Sequence, residues 1–470
     1  MVFMSQNSKC KNIFHTFISI FLIIGSNALL PSKALQQSPS AKTYQNLIQN
    51  LIYQFKYDSA LVISERSRER ALIEVTNNRG TISSENKPPS PNIAKIKQIA
   101  KQQNATIVQY SVLHDSTTVN GKQETRESEL YIWVIKSTGE IKFSQVDLKP
   151  LWQQKTSLTE LIKSSRTAIS TRDNLKGMII TGIKKSEDSQ YKQLQTIHTL
   201  LIEPIAGSLP KNKSEKVIFI PQSTLFLVPF AALQDAKGKY LIEQHAISIS
   251  PSIQALDLLH SKRQKQAKTQ DILIVGNPET ASISFKPGEA PQKLVPLPGA
   301  EQQVKAIATI FNTKAFIGKQ ATKATVLERM PKAKIIHLAT NTFDIQESSV
   351  IALAPSSNDN GLLTVEEISK LQLNAELVVL SSCNTALGKI TSDGVIGYER
   401  AFMTAGVPSL IGSLWDINDE ATILLMTQFY KNLFTNHNKP QALQQAMLTT
   451  KQKYPNPRDW AGFTFTGDTL

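Results

Sequence analysis

From about Lys192 to the last residue, short apolar runs alternate with amphipathic segments. "KVIFIP" (216–221), "AISISPS" (246–252), "DILIVGNPE" (271–279), "AKIIHLAT" (333–340), "SSVIALAP" (348–355), "ELVVLSSC" (376–383) and "VPSLIGSLW" (407–415) read as strands. Between them, "QLQTIHTLLIEPIAGSLP", "SIQALDLLHSKR", "GAEQQVKAIATIF", "TVEEISKLQ", "GVIGYERAFMTAG" and "DEATILLMTQFYKNLF" read as helices. Strands that are almost wholly apolar and alternate with helices predict an α/β fold, a mainly parallel sheet covered by helices on both faces. Ligands of such sheets sit at the carboxyl ends of the strands. In "GVIGYERAFMTAG", Val395, Tyr398, Phe402 and Ala405 share one helical face and Gly406 is placed to end the helix.

The first part of the chain reads differently. "TYQNLIQNLIYQFKYDSALVISERSRERALIEVTNN" (43–78) has helical spacing, with Ala60, Ile63, Ser67, Arg70 and Ala71 three or four apart and the charges of "ERSRER" between them. Two helices broken near Tyr57 fit it. "NRGTISSENKPPSPN" is a linker by its Gly, Pro and Ser content. "IAKIKQIAKQQNA" is a short amphipathic helix, and "TIVQYSVLHD", "ELYIWVIKS" and "EIKFSQVDL" alternate apolar and polar residues as strands, the last two joined by a hairpin turn at "STGE". The expected organisation is a leader over 1–34, a helical segment over 35–80, a linker over 81–91, a small α+β region over 92–190 and the α/β domain over 191–470.

Composition narrows the function. Hydrophobic residues make 41% and charged residues 19% of the 470, enough for a core and too few charges for wholesale disorder. The formal charge of +14 implies weak attraction to anionic surfaces. Scattered basic residues and 7% aromatics argue against nucleic acid. Lys9 and Lys11 precede the apolar run Ile13–Ile24, and Ser32 and Ala34 stand at cleavage spacing, so export to a periplasmic or extracellular compartment is expected. The run is shorter than the ~20 residues of a membrane span, which favours a cleaved signal over an uncleaved anchor. Cys10 leaves with the signal. The mature chain then keeps Cys383 alone and forms no internal disulfide.

The chemistry concentrates at two predicted strand tips. "IIHLATNTF" carries Asn341 and Thr342 at its strand tip, and "ELVVLSSCNTALG" delivers Cys383. With "VIFIPQSTLFLVPFAALQD", "LVPLPGAEQ", "IALAPSSNDNGLLTVEEI", "GVIGYERAFMTAGVPSLIGSLW" and "DWAGFTFTGD", these stretches resemble, in order and from about Leu200 onward, the CHAT family, caspase-like cysteine-peptidase domains often found behind tetratricopeptide repeats in bacteria. Ser64–Leu72 is similar to the last repeat helix that commonly precedes such domains. The resemblance implies a caspase-like fold, a Cys nucleophile, a His-Gly pair on the neighbouring strand and no cofactor. The His raises the thiolate fraction and protonates the leaving amine, and the Gly and Cys N–H groups form the oxyanion hole.

This sequence departs from that pattern. Cys383 holds the nucleophile position, but Asn341 stands where the His is expected and Thr342 where the Gly is expected. Asn is no base at neutral pH, Thr lacks glycine's backbone freedom, and losing one member of such a unit costs ~10⁴–10⁶ in rate. His337 lies four residues back on the same strand, roughly 13 Å away, beyond a base's reach; it is expected to be a core histidine. Asp393 and Asp416, on loops near strand ends, are candidates for a pocket that takes a basic side chain, and Asp419 is expected to cap the helix that follows it. No second Cys or His stands at metal-ligand spacing beside Cys383. The expected function is therefore that of a catalytically impaired peptidase homologue that binds an unidentified protein or peptide; the alternative is a cysteine endopeptidase using Cys383 with a displaced base. Nothing in the sequence sets the oligomeric state.

Overall fold

The computed structural model describes residues 41–68, 90–119, 122–170, 187–212, 215–265, 270–285, 288–345, 348–382, 385, 388–391, 394–436 and 438–470. The chain divides into two compact units, 1–47 and 48–470; of the first, only the opening turns of helix Ala41–Tyr53 are described. The expected signal, most of the linker, Cys10, His437, Asp393 and Cys383 lie outside the described residues.

The apolar runs fall where a two-faced strand must lie. Eleven strands form one sheet: β1 (Ala105–Val119), β2 (Lys122–Ile135), β3 (Ile141–Asp147), β4 (Lys216–Ile220), β5 (Ala246–Ile249), β6 (Asp271–Pro278), β7 (Phe316–Gly318), β8 (Ala333–Ala339), β9 (Leu377–Leu380), β10 (Ser409–Ser413) and β11 (Phe463–Gly467). Their spatial order is β3-β2-β1-β4-β5-β11-β10-β9-β8-β6-β7. β10, β9, β8, β6 and β7 run parallel to one another. β1, β4, β5 and β11 also run parallel to one another. The two blocks meet at the antiparallel pair β10–β11, so they point in opposite directions and their carboxyl ends lie on opposite edges of the sheet. The hairpin β1–β2–β3 is antiparallel, and because β1 pairs with β4 the sheet continues without a break across the expected boundary near residue 191.

Side-chain alternation splits each strand between two cores. Along β8, Ile335 and Ala339 face one cluster, with Val304, Ile307, Phe429 and Tyr430 of helices Pro298–Ile310 and Asp419–Asn436. Ile336 and Leu338 face the other, with Tyr398, Phe402 and Met403 of helix Tyr398–Thr404. Helices therefore cover both faces.

Three expectations change in detail. "SSVIALAP" joins a separate antiparallel sheet of Thr342–Ile345, Ser348–Ala352 and Leu362–Thr364, because the chain leaving β8 folds back on itself. The helix expected over 394–406 is shorter: Gly394–Gly397 pairs as a strand with Gly388–Thr391, so Val395 is not on the helical face. Phe402 remains wholly buried, and Gly406 ends the helix with φ +110°. The "ERSRER" charges were expected between the buried positions of a helix, yet Glu65 and Arg68 are both buried.

Candidate functional site

β8 ends at Ala339 and β9 at Leu380, side by side and parallel, so their following residues emerge together. The tips are tied directly: Thr340 N donates to Ser382 Oγ at 3.2 Å. Thr340 Oγ1 also donates to Ala352 O, which turns the chain into the small sheet. The segment beyond β9 is held from beneath. Ser413 Oγ, at the tip of β10, donates to Ser382 O. Thr385, wholly buried, donates through Oγ1 to Leu380 O at 2.9 Å, and its backbone N donates to Ser413 Oγ at 3.3 Å. Gln303, buried on helix Pro298–Ile310, donates to Ser381 Oγ at 2.7 Å. Ser382 and Thr385 thus bracket the position of Cys383, which itself lies outside the described residues.

These tips floor a cavity of about 270 Å³. Its lining includes Asn341 and Thr342 from the expected site, Ser381 and Ser382 just before Cys383 in the chain, and Asp416 and Asp419 from the loop and helix after β10. Gly299, Gln303 and Trp415 complete the walls. Asn341 is half-buried, and its amide donates weakly to Val295 O at 3.4 Å. Thr342 starts a regular antiparallel strand opposite Ile351, an extended conformation that suits a β-branched residue. Among the described lining residues there are two carboxylates and no Lys, Arg or His.

Asp419 is not the helix cap. Asn418 Oδ1 accepts from Glu420 N at 2.9 Å and from Ala421 N at 3.3 Å, which leaves Asp419 as the first helical residue. Its carboxyl packs on Gly299, where a Cβ would stand 2.3 Å from the carboxyl carbon. Asp416 is half-buried at the mouth of the same cavity. Beneath it, Trp415 Nε1 donates to Arg458 O at 2.8 Å, and a Cβ on Gly462 would collide with Trp415 and Ile417. The closing "DWAGF" stretch is therefore the support of the acidic wall.

His337 is a core histidine, as its place on the strand suggested. It is wholly buried on β8, its Nδ1 lies 3.0 Å from Tyr430 Oη, and burial pushes its pKa down to about 3. Among the described residues no group of His, Cys, Asp or Glu could hold a metal ion.

The sequence profile of the CHAT domain matches residues 191–468. The chain belongs to the CHAT family. It is 26% identical over 326 residues to human tetratricopeptide repeat protein 28, and 25% identical over 327 residues to the mouse protein. Each match covers 58% of this chain, which spans only 13% of the length of either relative. In fold, the CHAT chain is similar to a protein of the Saccharomyces cerevisiae separase–securin complex: TM-score 0.50 at 11% identity, over 88% of this chain and 34% of that one. The expected caspase-like architecture is thus the one observed.

Asn341, Thr342 and Asp416, picked out in the sequence at strand tips, come together in the lining of one cavity. Sequence reasoning missed Gln303 and Gly299, although "PGAEQ" was visible as a landmark, and it gave Asp419 the wrong task because the better capping residue, Asn418, stands one place earlier.

Proposed function

We propose that this CHAT protein binds a protein or peptide segment through an arginine or lysine side chain seated in the strand-tip cavity, and does not cleave it. The observation that carries this reading is the cavity's composition: Asp416 and Asp419 on one wall, hydroxyls of Thr340, Ser381, Ser382 and Ser413 on the floor, and no cation among the described lining residues. A guanidinium or ammonium carries the charge opposite to the two carboxylates and donates to the oxygens of the lining. Asn341 in place of a base, with His337 locked against Tyr430, supports binding without turnover. Export through the segment 1–34 belongs to the same proposal and puts the partner outside the cytoplasm. N-terminal sequencing of the native protein checks it: a start near Leu35 agrees, and an intact Met1 on a cytosolic species contradicts it.

The second reading, an endopeptidase that uses Cys383, draws on the retained cysteine at the family's nucleophile position. It requires a base from outside the described lining. A fluorescent arginine-centred peptide incubated with wild type and with Cys383→Ala separates the two. Equal binding and intact peptide in both is expected; cleavage by the wild type alone makes the protein an enzyme.

A further inference from the structure

The chain just before Gly299 gives the strand-tip cavity an apolar rim. It runs Leu294-Val295-Pro296-Leu297-Pro298, without a charged or polar side chain. None of these residues is buried, and Val295 is 76% exposed. Consecutive apolar residues left in water at this length are selected against unless something covers them. The run is continuous with the cavity. Leu297 is part of its lining, and Val295 O accepts from the amide of Asn341, another lining residue, at 3.4 Å.

The run is also held in one shape. Leu297 N donates to Asn277 Oδ1, near the end of β6, at 2.7 Å. Asn277 takes a left-handed φ of +44°, which Asn tolerates better than most residues. Its own amide donates to Glu301 Oε2 at 2.9 Å, on helix Pro298–Ile310. Pro296 and Pro298 fix φ at alternate positions and push Val295 and Leu297, which precede them, toward extended backbone. A guest laid on this surface therefore gains burial without having to order a loop. The spacing fits an extended chain. Val295 lies two residues from the cavity-lining Leu297, a step of roughly 6.6 Å in extended backbone. In an extended guest, the residue two places from an arginine points to the same face at the same step. With the arginine in the cavity, that residue on one side comes over Val295.

We propose that the Leu294–Pro298 run is a shelf that selects an apolar side chain two positions from the partner's arginine, an inference that rests on the cation-binding reading of the cavity. Calorimetry on the full chain tests it with arginine-centred peptides that carry leucine two places before the arginine, leucine two places after it, or serine at both. A fourth peptide has serine at both places and citrulline for arginine. Leucine on one side should tighten binding about fivefold over serine, the gain from partly covering one such side chain. In Val295→Ser the leucine-to-serine ratio should fall below about twofold, and in Val295→Ile it should be kept. A leucine that adds nothing on either side, or a gain that survives Val295→Ser, overturns the shelf while a preference for arginine over citrulline leaves the cation reading in place. Equal binding of the arginine and citrulline peptides overturns both.

Discussion

The two parallel blocks of the sheet end in opposite edges that differ in one respect: one edge is filled by the chain itself and the other is open. At the carboxyl edge of β4 and β5, Arg68 lies wholly buried. Its guanidinium donates to Pro221 O and to Tyr110 O, both at 2.5 Å. Glu65, pushed up by burial against the pull of Arg68, accepts from Gln254 N at 2.8 Å, where helix Ile253–Lys265 begins. Ser64 completes the plug against Ser111 at 2.7 Å. At the carboxyl edge of β8, β9 and β10 the equivalent space is the cavity, with carboxylates and hydroxyls but no cation among the described lining residues. The filled edge shows what such a place requires: strand-end acceptors and an acid, brought together around one arginine. The open edge has acceptors and acids; Arg458 donates to Asp416 O at 3.3 Å behind the wall, and we propose that a partner's arginine binds on the cavity side.

The largest expected effect is at the filled edge. Arg68→Met leaves Glu65 and the strand-end carbonyls buried without their cation, and should destabilise the protein by about 3–5 kcal/mol in urea unfolding. A loss below about 1 kcal/mol would mean that the plug is ornamental and the comparison empty. The converse substitution brings a cation to the open edge. Thr422→Arg, on the helix that lines the cavity, should leave stability nearly unchanged and reduce binding of arginine peptides at least tenfold, because the site then carries its own guanidinium.

Acid should weaken both blocks. Burial holds His337, on β8, at a pKa of about 3, and His245, just before β5, at about 4 with Lys239 contributing. Unfolded, both titrate near 6.5. Between those limits each of these histidines binds more protons in the unfolded chain than in the native one, so its contribution to stability is complete above about pH 6.5 and falls as pH drops. The slope is about 1.4 kcal/mol per pH unit for each histidine. Glu399, which burial pushes up to about 8, and Glu65, also pushed up by burial, bind more protons folded than unfolded and oppose this slope. The histidine share is therefore read by difference, from urea midpoints at pH 7.5, 6 and 5 in wild type and His337→Phe. An identical pH dependence of the two contradicts the buried neutral state of His337. His337→Phe should flatten the slope by the share of the block with the open edge.

Legibility followed the range of the interactions. Most strands of both blocks were readable because uniformly apolar runs have few other places to lie, but the short β7 and the polar-diluted β11 were not read as strands. Asn341 and Asp416 drew notice because they stand at strand tips. Helix Lys439–Lys453 was not, since Gln and Lys dilute its pattern, although Ala442, Leu443, Ala446, Met447 and Thr450 are buried at helical spacing. The plug was invisible for a stronger reason. Glu65 and Arg68 look like a solvated helix face until the strand-end carbonyls and the helix N–H that bond them are in place, and those lie up to 189 residues away in the chain. Gln303 and Gly299 join the site only through the crossing of helix Pro298–Ile310 over β8 and β9, which no local spacing encodes.

Smaller effects sharpen the open edge. Asp416→Asn and Asp419→Asn should each weaken arginine-peptide binding by about 1–2 kcal/mol, roughly tenfold, since both groups keep some contact with solvent. Gly299→Ala should act in the same direction and less strongly, by displacing the Asp419 carboxyl that now packs against the glycine. Equal binding by all three variants would move the guest elsewhere.

The central claim is that the open edge takes a cation and does not cut the chain that carries it. Calorimetry with an arginine-centred peptide and its citrulline counterpart tests this most directly, because the two side chains share shape and differ in charge. The account predicts binding at least tenfold tighter for arginine, loss of that preference in the Asp416→Asn, Asp419→Asn double variant, and recovery of the peptide uncut. Equal affinity for citrulline, or fragments that disappear with Cys383→Ala, would contradict it.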